Sequence, residues 1–534
     1  MSGKKSIVLT DLNVFDLECI LDGSYHPLIG FMNEIDYHSV LDTTHLSTGQ
    51  IWAIPITLHV TEVFEISTQI VLKDSTLLPL ATLTIESVYK PNIEKECMCI
   101  YQTLDTNHPG VQNIINNTGY YIGGTLKKIN SVQHYDFLSY RLNPSQVKEY
   151  FTKNNWTQIV GFQTRNPLHR CHVELTKLAL EIVGKEAKLL LHPVVGKTQE
   201  CDVDYITRCK CYKEILKYYP DNTVKLAFLP YHMRMAGPRE ALQHAIIRQN
   251  YECTHFIIGR DHAGPSYKNK NGESFYGPYD AQQYVLKYQE ELKIKIIIIP
   301  QIVYIKELGY VREDQIPSEY ESGICNISGT ELRKMLTSGI KIPEWYTYPE
   351  IATILSSYYS MKGICFYLIG LSGAGKSTLS LALKSRLEEI TDRQVSILDG
   401  DKVRQTLSAG LGFSKQDRSA NVRRIGYVAS EIVKHGGIVI CANIAPYDED
   451  RLSNRELISK VGNYIEVFLD TDINTCEQRD PKGLYKSFRA GKLKNLTGID
   501  DPFEKPSKAD VIIKNESILN STNILISKYH NIIS

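Results

Sequence analysis

The sequence predicts an α/β chain in three parts: a β-rich front, a doubly wound centre and a P-loop end. Three observations predict it. In the front, residues 51–60, 69–73 and 80–90 are rich in Val, Ile and Thr and separated by turn residues. From Trp156, apolar runs at 158–162, 188–195, 224–229, 255–258 and 294–299 are spaced by helix-length segments. That alternation is the mark of a parallel sheet with helices on both faces. Near the end, an apolar run at 365–369 leads into Gly370, Leu371, Ser372, Gly373, Ala374, Gly375, Lys376, Ser377 and Thr378, and a helical pattern follows.

Composition sets the bounds. At 534 residues the chain holds roughly three or four domains of about 150 residues each. Lys plus Arg and Asp plus Glu each number 60, so no overall field recruits nucleic acid or an acidic membrane surface. The first residues lack the apolar stretch of a secretion signal, and no run approaches the ~20 apolar residues of a membrane span. The twelve cysteines show no paired CxxC spacing, only the CxC pairs Cys97/Cys99 and Cys209/Cys211. The reading is a cytoplasmic protein with reduced thiols and no structural zinc.

The front offers no phosphate loop or acid/base cluster. In the centre, two polar clusters fall at the carboxyl ends of predicted strands, where ligands bind in such sheets. The first runs from Gln163, Thr164, Arg165, Asn166 and Pro167 to His169 and His172. Pro167 suits the first turn of a helix, which predicts His169 and His172 on one face near its positive end. Two imidazoles there can bind phosphates, Arg165 can fork onto a tetrahedral oxyanion, and Gln163 and Asn166 add neutral donors. With no carboxylate in the cluster, the chemistry suits a nucleophile already ionised when it attacks. Two readings compete with it, a pair of surface histidines and a metal site lacking a third ligand. The second cluster is Gly259, Arg260, Asp261, His262, Ala263, Gly264 and Pro265.

Both clusters resemble those of the ATP sulfurylase (sulfate adenylyltransferase) family, and the resemblance extends to about residue 355. Tyr25-His-Pro-Leu-Ile-Gly-Phe-Met32, His192-Pro-Val-Val-Gly196, Met233-Arg-Met-Ala-Gly-Pro-Arg-Glu240 and Asn326-Ile-Ser-Gly-Thr-Glu-Leu332 match it as well. The resemblance implies a PUA-like front (1–148), a catalytic α/β domain (149–305) and a small α/β subdomain (306–358). It assigns sulfate to Gln163, Arg165 and the backbone at Ala263. It makes Thr164, Arg165, Asn166, His169 and His172 catalytic, the histidines steadying the phosphates as pyrophosphate leaves. ATP falls to Gln163, Thr164, Asn166, Gly259, Arg260, Asp261, His262 and Val303.

In the P-loop part, the glycines let backbone N–H groups turn around phosphate oxygens, Lys376 reaches the terminal phosphates and Ser377 can ligate Mg²⁺. A further strand at 395–398 ends in Asp399-Gly-Asp401, beside Arg404; carboxylates there can hold Mg²⁺ or take a proton from an attacking hydroxyl, though the same tripeptide is also a common turn. This part, 359–534, resembles adenylylsulfate (APS) kinase through Leu398-Asp-Gly-Asp401, Leu411-Gly-Phe-Ser414, Asn421-Val-Arg-Arg424, Asp480-Pro-Lys-Gly-Leu-Tyr-Lys486 and Thr497-Gly-Ile-Asp500. The resemblance makes Asp401 catalytic and, with Ser377, a partner of nucleotide-bound Mg²⁺. Arg404, Arg418, Asn421, Ile444 and Lys482 would hold APS, Phe413 and Phe503 would stack on its adenine, and residues 482–500 would form a lid. Where many members carry Ile-Ser-Pro, this chain has Ile444-Ala445-Pro446, so the family's phosphorylatable serine is missing.

Together the resemblances imply an enzyme that turns sulfate and ATP into APS and pyrophosphate, then phosphorylates the APS 3′-hydroxyl to give PAPS. Its substrates would be ATP, sulfate and APS, its cofactor Mg²⁺ as MgATP, and its assembly a homo-oligomer. Two rivals stand: a C-terminal domain that only binds PAPS and regulates, and a sulfurylase running towards ATP.

Overall fold

Five parallel strands, Lys295–Ile298, His255–Ile258, Ile159–Phe162, Lys188–Leu191 and Val224–Leu226, lie side by side in that order. The chain therefore winds outward twice from Ile159–Phe162, and its neighbour His255–Ile258 begins the second winding. The crevice between those two strands is the switch point, where an open α/β sheet binds its ligands. The computed structural model describes residues 5–196, 198–199, 202–337, 340–357, 363–514 and 516–533. It forms two units, one of Met1–Gln133 with Phe137–Ala352, the other centred on Thr353–Ser534.

In the first unit the front is a mixed six-stranded sheet built around Pro79–Tyr89 and Tyr120–Lys128. Its core continues into that of the five-stranded sheet, with Trp52, Ile85 and Tyr121 in the same apolar cluster as Leu190, Leu229 and Phe256. Two buried arginines stitch the layers together. Arg234 Nη2 reaches both oxygens of Asp16 at 2.6 and 2.8 Å. Arg239 donates to the carbonyls of Val40, Leu41 and Ala53 at 3.0–3.1 Å.

The expected strand at 51–60 is shorter than its composition suggests, since only Leu58–Val60 pairs in the sheet. Upstream carbonyls are taken elsewhere: Ala53 O by Arg239, Ile54 O by the Trp52 indole at 2.7 Å, and Ile56 O by Met32 N–H. After Pro300 an antiparallel three-stranded sheet forms, with Ile302–Ile305 between Gly309–Arg312 and Ile324–Cys325. Helix Pro349–Ser357 follows, and residues 358–362 lie outside those described.

The second unit is a parallel sheet in the order Val395–Asp399, Ile438–Asn443, Ile364–Ile369, Asn463–Leu469, Val511–Ile513. Its central strand is buried along its whole length, as the continuous apolar run predicts. The P-loop leaves that strand and helix Lys376–Ile390 follows.

Candidate active sites

The two polar clusters of the first unit meet. A cavity of about 600 Å³ is lined by Gln163, Thr164, Arg165, Asn166, His169 and His172 on one side and by Gly259, Arg260, Asp261, His262 and Gly264 on the other. Ala263 and Val303 are buried beside it, and neither lines it.

The loop after Ile159–Phe162 is held from below. Arg208 Nη1 donates to Arg165 O at 2.6 Å, the Tyr212 hydroxyl to Asn166 O at 3.0 Å, and Thr164 Oγ1 closes a turn on Asn166. Arg165 is aimed by its own contacts: Nη2 donates to Gly264 O at 3.0 Å, Nη1 to Met235 Sδ at 3.4 Å, and Nε lies 3.2 Å from Asp202 Oδ2. Asp202 thus puts a carboxylate at a cluster that reads as having none. It sits 37 positions along the chain from Arg165, so no local pattern discloses it.

The helix starts later than Pro167 suggests. Residues 167–169 are extended or irregular, His169 is the N-cap with φ −99° and ψ 174°, and the helix runs Arg170–Val183. The reason is tertiary, because Arg170 N–H is capped by Tyr346 O at 3.2 Å. The Tyr346 ring lies 4.3 Å from that of His169. His169 N–H donates to His172 Nδ1 at 3.1 Å, which places the His172 proton on Nε2 and leaves that atom as a donor. Burial pushes the imidazoles down, His169 to about 3, aided by His172, and His172 to about 4. Without a ligand both are neutral, and an oxyanion beside them would raise their proton affinity. Sequence reasoning also passed over Tyr346, Asn326 and Ile327, which line the cavity; the Asn-Ile-Ser-Gly match was the only signal for Asn326 and Ile327, and Tyr346 lies outside it.

In the second unit the P-loop glycines are required. Gly373 (φ 78°) and Gly375 (φ 98°) are left-handed, and a Cβ on Gly373 would come 2.7 Å from Cys476 O. Lys376 Nζ donates to Gly370 O at 2.9 Å and Leu371 O at 2.7 Å. Ser372 and Ala374 are buried within the loop, and Thr378 follows Ser377 on the helix.

Ser377 Oγ donates to Asp399 Oδ2 at 2.8 Å, so it is the first Asp of Asp-Gly-Asp that faces the hydroxyl expected to ligate Mg²⁺, a place the sequence left to Asp401. Asp401 instead forms an ion pair with Lys482. Arg404 and Arg418 stand over Phe413 at 4.7 and 5.7 Å. Arg418 also reaches Thr497 Oγ1 at 2.6 Å and Asn495 O at 2.7 Å, tying itself to the expected lid segment. Asn421 is buried, and its Oδ1 has no hydrogen-bond partner among the described residues. Ile444 is half-buried, and Phe503 stacks on Phe468 at 6.0 Å. The two aromatics expected to clasp one adenine thus each have another partner. Ala445 has φ 43°, and its carbonyl accepts from Arg451 Nη1 at 2.6 Å.

An anion cavity at the switch point of a doubly wound sheet, with a P-loop sheet beyond it in sequence, defines a nucleotidyl-transferring enzyme joined to a P-loop kinase. Family models agree: PUA-like domain over residues 1–131, ATP-sulfurylase over 138–358 and adenylylsulphate kinase over 362–514. The chain is 43% identical over 520 residues to a sulfate adenylyltransferase of Coccidioides immitis, covering 95% of this chain and 90% of that one. A sulfate adenylyltransferase of Chaetomium globosum is 43% identical over 524 residues, 96% and 90% of the two chains. The solved structure titled hexameric APS kinase from Thiobacillus denitrificans matches with TM-score 0.57 at 30% identity, covering 99% of this chain and 94% of that one. The chain belongs to the sulfate adenylyltransferase family, in a form that carries an adenylylsulfate kinase domain after the sulfurylase.

Proposed function

We propose that the chain activates sulfate in two steps: adenylyl transfer from ATP to sulfate, giving APS and pyrophosphate, then phosphorylation of the APS 3′-hydroxyl by a second ATP, giving PAPS. The observation that carries the first step is the meeting of Arg165, His169 and His172 with the 259–264 loop around one cavity. Sulfate is a dianion, so its oxygen attacks the α-phosphorus without losing a proton. The protein has only to hold two anions in line and to neutralise charge on the departing pyrophosphate. Arg165, fixed by Gly264 and Asp202, orients sulfate together with Gln163 and the backbone at Ala263; His172 Nε2–H and His169 receive the phosphates. Thr164, Asn166 and residues 259–262 bound the nucleotide, with Val303 behind them.

In the second unit Lys376 leaves the Gly370 and Leu371 carbonyls for the phosphates of ATP. Asp401 leaves Lys482 for the 3′-hydroxyl, and Lys482, Arg404 and Arg418 hold the APS anion. Asn421, Ile444, Phe413 and Phe503 bound its nucleoside. The oxygen set fits Mg²⁺, since Ser377 Oγ and Asp399 Oδ2 are 2.8 Å apart with Asp401 two residues on. Bound there with the nucleotide, Mg²⁺ would spread the phosphate charge. Domain limits of 1–148, 149–305, 306–358 and 359–534 organise these roles. A homo-oligomer is supported by the hexameric relative. A cytoplasmic setting fits the free thiols of the described cysteines. Among the described residues, no helix is long and apolar enough to cross a membrane.

The test is product chromatography. Full chain incubated with sulfate and MgATP should yield PAPS, and APS plus MgATP should yield it without sulfate. A wild type that converts sulfate but not APS would leave the second unit a regulator.

A further inference from the structure

His262 stands at the carboxyl end of strand His255–Ile258 and forms part of the cavity wall. Behind it, on helix Gly237–Asn250, lies the fully buried His244, whose Nδ1 is 3.0 Å from His262 Nε2. One turn earlier on that helix is Glu240, also fully buried, with Oε1 3.9 Å from His244 Nε2. Both oxygens of this carboxyl accept hydrogen bonds already: Oε1 from the Tyr231 hydroxyl and Arg234 N–H, both at 2.8 Å, and Oε2 from Ala236 N–H at 3.1 Å.

This chain places protons. His244 Nε2 makes no hydrogen bond among the described residues, yet a bare lone pair facing the carboxylate oxygen across 3.9 Å is repelled whereas an N–H is attracted, so His244 carries its proton on Nε2. Its Nδ1 is then an acceptor, and the 3.0 Å contact requires His262 Nε2 to be the donor. With that proton committed, His262 Nδ1 is left bare. Among the described residues it has no hydrogen-bond partner; it is not one of the buried unpartnered atoms, and His262 lines the cavity, so Nδ1 is accessible there. Ring contacts fix both imidazoles, Tyr231 edge-on to His244 at 5.2 Å and Phe256 edge-on to His262 at 5.7 Å. Burial, Arg248 and Arg165 press His262 down to about 3, and burial with Arg248 and His262 presses His244 well below its usual value. Burial pushes the Glu240 carboxyl upward, while its donors and Arg234 oppose this.

We infer that Glu240 and His244 are positioning residues that hold His262 as a hydrogen-bond acceptor for the nucleoside part of the nucleotide, an assignment that rests on the reading of this cavity as the ATP site. Sulfate and the bridging triphosphate carry no proton to give and are repelled by a bare imidazole nitrogen. ATP offers a donor in two places, the adenine 6-amino group and the ribose hydroxyls. Of the histidines at this cavity, His169 and His172 therefore meet the phosphates, while His262 selects the nucleoside.

The test uses the full chain and ATP–pyrophosphate exchange. In His244→Asn the amide oxygen stands where Nδ1 stood; in His244→Gln and His244→Leu no acceptor remains there. The Asn variant should keep KM for ATP within about threefold of wild type. The Gln and Leu variants should raise it about tenfold, the worth of one hydrogen bond, with kcat changed less. Each is compared with inosine triphosphate, which lacks the 6-amino group, and with 2′-deoxy- and 3′-deoxy-ATP. The analogue missing the recognised donor should bind wild type about tenfold more weakly and lose nothing more in His244→Gln. Because the variants could misfold, nitrogen NMR of histidine-labelled wild type supplies an independent reading, with the His262 proton expected on Nε2. Equal defects in the Asn and Gln variants with all nucleotides suffering alike, or a His262 proton on Nδ1, would overturn the inference. Wild type with no exchange at all would remove the ATP reading beneath it as well.

Discussion

Arg165 is aimed before any substrate arrives, by Gly264 O and by Asp202. Its planar fork suits two oxygens of a tetrahedral anion, and a lysine ammonium cannot reproduce that. Arg165→Lys should cut sulfate-dependent ATP–pyrophosphate exchange about a hundredfold while sparing phosphorylation of added APS. Unchanged exchange at ordinary sulfate concentrations would remove Arg165 from the site. Lys376 offers a pH test in the other unit. Burial, aided by the neighbouring Lys482, lowers its amine to about 8. The charged amine binds phosphate, so binding is at full strength below pH 8 and weakens as the proton leaves. KM for MgATP in APS phosphorylation should rise by up to about tenfold per pH unit above that value. A KM flat to pH 9.5 would show that the amine stays charged.

At the scale of elements, the interior of the sheets was legible and their edges less so. Continuous apolar runs such as 255–258 and 365–369 leave a strand no exposed face, and the structure buries nearly all of both. The two polar clusters were legible because functional groups collect at strand ends. What the sequence could not disclose depends on groups far along the chain. Arg239 and Met32 take backbone groups from the segment before Leu58–Val60, and Tyr346 O caps a helix that Pro167 places too early. Asp399 was in view, yet only the Ser377 contact separates its role from that of Asp401. Helix packing gives a prediction of its own. In helix Lys415–Lys434 a Cβ on Gly426 would come 1.9 Å from Asn454 Oδ1, and Asn454 Nδ2 is tied to Tyr367 Oη and Val422 O at 2.9 Å. Gly426→Ala should destabilise the kinase unit by about 1–3 kcal/mol. Calorimetry should show its transition shifted down and ATP–pyrophosphate exchange unaltered; equal stability would mean that Asn454 yields freely.

For the molecule as a whole, the two chemistries are coupled through a product that is costly to make. Adenylyl transfer exchanges one phosphoanhydride for a less stable mixed anhydride, so APS accumulates only slightly until it is consumed. Asp401→Asn should reduce PAPS formation about 10²- to 10⁴-fold, the usual range for a lost acid/base group. With sulfate and MgATP the variant should stop at a small, pyrophosphate-sensitive level of APS, which chromatography of the adenylyl products measures. Continued PAPS formation at the wild-type rate would show that Asp401 is dispensable.

The cap on helix Arg170–Val183 also sets an order of events during synthesis. The helix leaves the ribosome long before Tyr346, whose carbonyl caps Arg170 and whose ring covers His169. At ~5–20 residues per second the nascent chain spends on the order of ten to thirty-five seconds with that end open. Throughout that interval the first helical N–H beside the cavity is uncapped in a partly folded chain. Chains released early, short of residue 346, would carry the front sheet and both polar clusters yet lack the seat of His169. Such fragments would fold around a finished core and hold an unfinished site.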